Sequence, residues 1–455
     1  MEAPTKNETN ESTKRFSKIS INKVEIIDET KNDSAHTKLE LKKLVEQARS
    51  KNLEIIINAV VEIRKMISHS KNPPIDEIIQ SGIVPDLIEF LKNSDTKLQY
   101  ETASILTNIA SGTFEQTKVI IDSGAVPVFL QFLHSSDHNV SNQVAWALGN
   151  IIADKTQFYN YCIELGLIEE ILKFDFSKLR IKNLRTLTWI MANLCRNKEI
   201  CTGKNVGKLF LPMLEMLVFN RDDEILIETL LAITFLTDPN DEERIVLSDN
   251  VIKRLVEFLS HRDFQIQSSA LTILTYITFN NNDKIKFLID FGILLQIQQL
   301  LCHQKASINK QACLFLLSII NENGQWNHKI FDANLIEPLV KLLSQKNFKT
   351  KIEDALSILV KLIKHGNAKQ IQFLILNNII PSFCFLIQET KNVEILESVL
   401  KSIKIILEKC ETYFPIVIQQ LNENGIKEII EKIAENKNVE ISNIVKEINE
   451  ICFLI

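Results

Sequence analysis

Residues 81–85 read SGIVP and residues 123–127 read SGAVP, so the glycines of the two stretches, Gly82 and Gly124, lie 42 residues apart. The same slot recurs along the chain, with a glycine or an asparagine ahead of an apolar run, at Gly166, Asn250, Gly292, Asn334 and Asn378. Glycine and asparagine enter the left-handed backbone conformation that ends helices more readily than other residues. The recurrence therefore predicts a helix end and a new helix about every 42 residues.

The composition favours helices throughout. The 455 residues are 45% hydrophobic and 24% charged, and they include only 11 glycines and 10 prolines. So few turn-forming residues cannot separate many strands or hairpins. Leu, Ile, Lys and Glu follow the helical period in stretches such as ERIVLSDNVIKRLVEFL, residues 243–259. The sequence therefore predicts an all-α protein.

A repeat of about 42 residues is typical of armadillo and HEAT solenoids. In such proteins each unit buries its apolar face against its neighbours, which gives one continuous core. We count about ten units in residues 38–455, which form the predicted solenoid domain. Residues 1–37 are polar and show little periodicity, so we predict a disordered N-terminal arm there.

Several classes of function are disfavoured by the sequence. The net charge of −5 gives no electrostatic case for nucleic-acid or membrane binding, and neither a signal-peptide pattern nor an apolar run near 18 residues is found. These features predict a soluble intracellular protein. The eight cysteines lack CxxC spacing and are expected to be free thiols. No motif of a nucleotide-binding enzyme, metalloprotease or hydrolase occurs, so we expect no enzyme, cofactor or metal site.

Two related stretches suggest a binding surface. Residues 143–150 read QVAWALGN and residues 186–193 read TLTWIMAN, which places Trp146 beside Asn150 and Trp189 beside Asn193 on one helix face. The tryptophans are 43 residues apart and fall in the last helix of consecutive units, which lines the concave surface of such solenoids. Asparagine amides suit the backbone of an extended peptide, and indole faces attract cations. The pairs predict a groove for a lysine-rich peptide, and replacing either pair by alanine is expected to leave the fold intact.

Longer stretches carry a family resemblance. Residues 101–133 (ETASILTNIASGTFEQTKVIIDSGAVPVFLQFL), 141–154 (SNQVAWALGNIIAD) and 184–198 (LRTLTWIMANLCRNK) resemble the importin-α family of nuclear-import adapters. The resemblance covers about residues 38–455 and is most specific from 75 to 200. It implies a right-handed armadillo superhelix that binds nuclear localisation signals of cargo proteins, joins them to importin-β and occurs in cytoplasm and nucleus.

The resemblance also implies particular cargo-binding residues. The two Trp–Asn pairs match the family's ladder, and Asn108 matches the asparagine of a preceding rung whose tryptophan is replaced by Ser104. Residues matching the family's pocket for the key cargo lysine are Gly112, Thr117 and Asp154, and Gln143 matches a further cargo-contacting residue. The implied cargo-peptide site is therefore Trp146, Asn150, Trp189, Asn193, Asn108, Gly112, Thr117, Gln143 and Asp154.

The chain departs from the family in two places. The tryptophan or arginine positions of the family's minor cargo groove are Leu231, Thr272, Leu314 and Leu356, and the asparagine positions are Phe235, Tyr276, Ser318 and Val360. We therefore expect a preference for signals with a single basic cluster. In residues 1–37 six basic residues face seven acidic ones, and only residues 14–23 (KRFSKISINK) are free of acids. This arm is either a reduced importin-β-binding segment or a solvated linker.

Two functions remain after these departures. The first is an import adapter that links lysine-rich cargo signals to importin-β. The alternative is an armadillo scaffold that binds peptides and has no transport role.

Overall fold

The computed structural model describes residues 34–69, 73–196, 206–242, 244–320, 324–344, 349–426 and 439–453. Helices connected by short turns make up these residues, and no strand occurs among them. Most of the predicted arm, residues 1–33, lies outside this described part. The first described helix begins at Ser34, four residues before the predicted start of the solenoid.

The chain divides into two compact units. In the first unit, residues 1–247, the described helices are α1 (Ser34–Ala48), α2 (Leu53–His69), α3 (Ile75–Gln80), α4 (Val84–Leu91), α5 (Thr96–Ala110), α6 (Phe114–Asp122), α7 (Ala125–Phe132), α8 (His138–Asp154), α9 (Thr156–Glu164), α10 (Leu167–Leu172), α11 (Ile181–Arg196), α12 (Val206–Leu217) and α13 (Asp223–Leu236).

The described helices of the second unit, residues 248–455, are α14 (Asp249–Phe258), α15 (Phe264–Thr278), α16 (Asn282–Asp290), α17 (Ile293–Leu301), α18 (Ala306–Ile319), α19 (Asn327–Asp332), α20 (Ile336–Leu343), α21 (Lys349–His365), α22 (Ala368–Leu376), α23 (Ile379–Glu389), α24 (Val393–Lys409), α25 (Phe414–Glu423) and α26 (Val439–Phe453).

Each unit is a stack of repeats in which one or two described short helices precede a long one. In the first unit the long helices α2, α5, α8, α11 and α13 pack side by side in chain order. In the second unit α15, α18, α21, α24 and α26 form a row of the same kind. The apolar face of each long helix is buried between its neighbours, as the solenoid hypothesis requires.

The predicted helix ends are confirmed at six of the seven slots. The backbone is left-handed, with φ between 53° and 93°, at Gly82, Gly124, Gly166, Gly292, Asn334 and Asn378. The prediction is wrong at Asn250, which lies in the first turn of α14. The described residues between α13 and α14 form no helix that could end there. Pro239 and an Asx turn at Asp238, whose carboxylate accepts from the Asn240 N–H at 2.9 Å, give a reason for this break.

Aspartates start several of the long helices. The Asp95 carboxylate accepts from the Leu98 N–H at 2.8 Å at the start of α5, and Asp137 accepts from the Asn139 N–H at 2.8 Å at the start of α8. Such a cap contributes about 1 kcal/mol to helix stability. The caps fix where α5 and α8 begin, and with that the register of every side chain along them.

Among the described residues, no single helix is long and apolar enough to cross a membrane, although the bent pair of Ala368–Leu376 and Ile379–Glu389 passes by length and composition. The described residues contain no cluster of three or more potential metal ligands. The described cysteines are free thiols, and burial raises the pKa of Cys162 and of Cys384 to about 12.

Candidate peptide-binding groove

The two Trp–Asn pairs lie on the adjacent helices α8 and α11, which pack against each other. Asn150 and Asn193 are fully buried. The tryptophans differ, because Trp146 is half-buried whereas Trp189 is only 6% exposed. We call the surface formed by these pairs, together with Asn108 on α5, the ladder groove.

Gly149 makes room for the second tryptophan. A Cβ atom at this position of α8 would come within 2.0 Å of the Trp189 ring, so the indole lies directly against the glycine backbone. Glycine inside a helix costs about 1 kcal/mol relative to alanine, and close packing here gives a reason for it. Gly149 is not among the site residues predicted from the sequence, although a glycine in mid-helix was the available signal.

Hydrogen bonds tie α5 to α8 below the ladder groove. The Thr107 hydroxyl of α5 bonds to the Gln143 carbonyl at 3.1 Å, and the Asn150 amide reaches the Thr107 carbonyl at 3.5 Å. On the other side, the Asn108 amide donates to the Ser68 hydroxyl of α2 at 3.3 Å. These bonds fix the relative register of α2, α5 and α8.

The ladder residues also hold polar atoms without partners. In the described part of the first unit, six buried side-chain polar atoms have no hydrogen-bond partner: Thr102 Oγ1, Asn108 Oδ1, Gln143 Nε2, Trp189 Nε1, Asn193 Oδ1 and Asn193 Nδ2. Five of the six belong to residues that the sequence analysis assigned to the site. An unpaired buried polar group costs about 1–3 kcal/mol, so a concentration of them at one place calls for a functional reason.

The three residues of the implied lysine pocket lie near two helix ends. Gly112 follows the end of α5, and Asp154 is the half-buried last residue of α8. Helix C-termini carry partial negative charge, which adds to the Asp154 carboxylate in favouring a cation. Thr117 is fully buried, and its hydroxyl donates to the carbonyls of Ala110 at 3.2 Å and Thr113 at 3.0 Å. Thr117 therefore holds the end of α5 in place and presents no accessible surface.

Arg196 is a cation in this region that is not among the site residues predicted from the sequence. Its Nη2 atom lies 3.4 Å from the carbonyl of Ala153, the neighbour of Asp154, and burial lowers the pKa of the guanidinium from its ordinary value.

Comparisons with known proteins identify the relatives of this chain. Residues 71–111, 113–153 and 239–279 match the armadillo/beta-catenin-like repeat family. The chain is 48% identical over 217 residues to importin subunit alpha-3 of Caenorhabditis elegans, covering 48% of this chain and 42% of the relative. It is 34% identical over 347 residues to importin subunit alpha-4 of Arabidopsis thaliana, covering 76% of this chain and 64% of the relative. The chain belongs to the importin-α family.

This importin-α family member is also 42% identical over 242 residues to importin subunit alpha-1 of Schizosaccharomyces pombe, covering 53% of this chain and 45% of the relative. It therefore spans a little under half the length of this relative and of the C. elegans protein. A crystal structure of an engineered protein shares its fold, with a TM-score of 0.72 and 22% identity over 91% of this chain and 98% of that chain. The predicted fold class, an all-α armadillo-repeat solenoid, is confirmed.

The positions that correspond to the minor groove of importin-α proteins hold no asparagine, tryptophan or arginine. In the second unit the hydroxyls of two of these positions, Thr272 and Ser318, bond to neighbouring side chains. Ser318 and Thr278 share a hydrogen bond of 2.7 Å, and the Gln311 amide donates to the Thr272 hydroxyl at 3.3 Å. The expected preference for single-cluster signals stays a prediction.

Proposed function

We propose that this protein is a nuclear-import adapter that binds lysine-rich nuclear localisation signals in the ladder groove and links them to importin-β. The observation that carries the proposal is the set of buried, unpartnered amide and indole atoms at Asn108, Gln143, Trp189 and Asn193. Asp154, the last residue of α8, adds a carboxylate on the helix that carries Gln143. The family relationship supports the same role. On this proposal the protein is a binding protein and not an enzyme, and it moves between cytoplasm and nucleus.

An extended peptide suits this groove for three reasons. The amides at Asn108, Gln143 and Asn193 carry buried donors or acceptors without partners, which the alternating donors and acceptors of a peptide backbone would satisfy once these side chains turn toward it. The half-buried Trp146 leaves part of its ring accessible to the aliphatic stem and the ammonium of a lysine, a contact that contributes about 0.5–2 kcal/mol. Asp154 and two helix C-termini provide negative charge for one ammonium group.

A second candidate is an armadillo scaffold that binds peptides without a transport role. Two observations favour it: the minor-groove positions hold none of the family's asparagines, and residues 1–37 hold six basic and seven acidic side chains. The net charge of −5 gives neither candidate an electrostatic case for nucleic acid or membranes as partners.

The first test removes one rung. We expect Trp146→Ala with Asn150→Ala to weaken a short lysine-rich peptide about 30-fold, roughly 2 kcal/mol, because an indole wall and an amide are lost together. Isothermal calorimetry measures the loss. Phe219→Ala is the matched control, since this aromatic side chain is 53% exposed just after the end of α12 and is not one of the ladder-groove residues. Equal affinity of the rung variant and the wild type would show that the groove binds something else.

The second test separates the two candidates. We expect the full chain to capture purified importin-β, and the capture to be lost when Lys14, Arg15, Lys18 and Lys23 are all changed to alanine, because these are the basic side chains of the acid-free stretch. The same four-alanine chain should still bind the lysine-rich peptide. A wild-type chain that binds the peptide and does not capture importin-β would favour the scaffold.

A further inference from the structure

The ladder continues one helix beyond the residues that the sequence analysis assigned. Because the Asn108 amide bonds to the Ser68 hydroxyl at 3.3 Å, Ser68 of α2 lies at the register of the ladder asparagines. Four residues earlier in α2 comes Arg64, at the register of the tryptophans. From α11 back to α2, the wall positions are therefore Trp189, Trp146, Ser104 and Arg64.

Neither of the last two wall positions provides an aromatic face. Ser104 is buried, and its hydroxyl donates to the Tyr100 carbonyl at 2.8 Å within α5. Arg64 projects from α2 toward α5, where its Nε donates to Glu101 Oε2 at 2.5 Å. The groove therefore changes from indole walls to a guanidinium within two helices.

The guanidinium of Arg64 retains bonding capacity. Its side chain is 26% exposed, and the Nε bond to Glu101 is its one bond within the described residues. The terminal nitrogens Nη1 and Nη2 are thus left to form the planar pair of donors that carboxylates prefer.

The same chain shows that one guanidinium here can hold two carboxylates. Arg185 of α11 bonds to Asp222 at 2.6 Å through Nη2 and to Glu224 at 3.1 Å through Nη1. Arg64 bonds to one carboxylate, that of Glu101, and the exposed edge of its guanidinium can bind a second one.

We propose that Arg64 selects an acidic residue beside the basic cluster of the bound peptide and disfavours a basic residue at that position. This inference rests on the proposed function, since it takes a lysine-rich peptide as the ligand. Packed helices are about 8–10 Å apart, so α2 lies about 16–20 Å from α8. At roughly 3.3 Å per extended residue, the acid should stand about five or six residues from the lysine that contacts Trp146.

The test is a positional scan on the full chain. A lysine core is flanked on both sides by alanines, and a single glutamate or lysine is placed at each flanking position in turn, from three to nine residues away from the core. We expect one or two neighbouring positions at which glutamate binds at least fivefold more tightly than lysine. The chain has net charge −5, so its overall field favours lysine everywhere, and a preference for glutamate has to be local.

The preference should disappear in Arg64→Gln combined with Glu101→Gln, a pair that leaves no unpaired charge behind. Arg185→Gln is the matched control, because Arg185 of α11 already bonds to two carboxylates, those of Asp222 and Glu224. This control should keep the preference.

The outcomes are distinguishable. A lysine core that fails to bind overturns the proposed function and this inference with it. A core that binds with no position favouring glutamate more than twofold overturns the inference alone, and this comparison needs only the wild-type chain. Persistence of the preference in the Arg64→Gln, Glu101→Gln variant also overturns it.

Discussion

Asp154→Lys is expected to abolish binding of a lysine-rich peptide, with a loss of at least 100-fold. Asp154 ends α8 and is half-buried, so a lysine placed there occupies the position of the peptide ammonium in a partly desolvated setting. Contact between like charges in such a setting costs several kcal/mol. For the same reason, wild-type affinity should fall as the salt concentration rises. Fluorescence anisotropy with a labelled peptide measures both effects.

Asp122→Lys is the matched control for this charge reversal. Asp122 is likewise the last residue of its helix, α6, and its exposed carboxylate pairs with Lys118 at 2.7 Å outside the ladder groove. It should retain binding within about twofold, and its net charge equals that of Asp154→Lys. A salt-independent affinity that Asp154→Lys leaves unchanged would point to an apolar ligand.

Trp189→Ala should lower the stability of the protein by about 3–5 kcal/mol, the usual cost of truncating a buried tryptophan. The sequence alone predicts that alanine at this rung leaves the fold intact. Because Trp189 is 6% exposed and lies against Gly149, we expect a loss of stability instead. Trp146→Ala is the natural comparison, and since Trp146 is half-buried its cost should be clearly smaller. The shift of the urea-denaturation midpoint of the full chain measures the difference.

Gly149→Ala provides a second measure of the same contact. Alanine normally stabilises a helix relative to glycine by about 1 kcal/mol, but here its Cβ would collide with the Trp189 ring, so we expect destabilisation. In a Trp189→Leu background, where the ring is gone, the same substitution should become neutral or favourable. Equal effects in both backgrounds would mean that the ring does not press on Gly149 in solution.

Much of the fold could be predicted from the sequence because its signals are local. The left-handed position at Gly124 needs only a residue that tolerates positive φ, and the shared face of Trp146 and Asn150 needs only helical spacing. Local signals fail where the structure departs from the repeat. Asn250 is a residue type that often ends helices, yet none of the described residues between α13 and α14 forms a helix that could end there.

The family resemblance assigned the candidate site to particular residues, but it did not determine how exposed each side chain is. Trp146 and Trp189 have the same spacing to their asparagines, yet one is half-buried and the other is packed against a neighbouring helix. Thr117 matches a residue expected to contact cargo, yet its hydroxyl donates to the end of α5. Burial depends on neighbours from other repeats, which spacing within one helix does not specify.

The sequence by itself determined the all-helical class, the period of the repeats and the row of Trp–Asn pairs, because each follows from residues within one helix or from a fixed interval along the chain. Only the tertiary structure decided the partners across helices. Gly149 lies against Trp189, 40 residues later, and Arg64 bonds to Glu101, 37 residues later. Such contacts depend on the register with which packed helices meet. That register is set by caps, bridging hydrogen bonds and the fit of side chains between repeats.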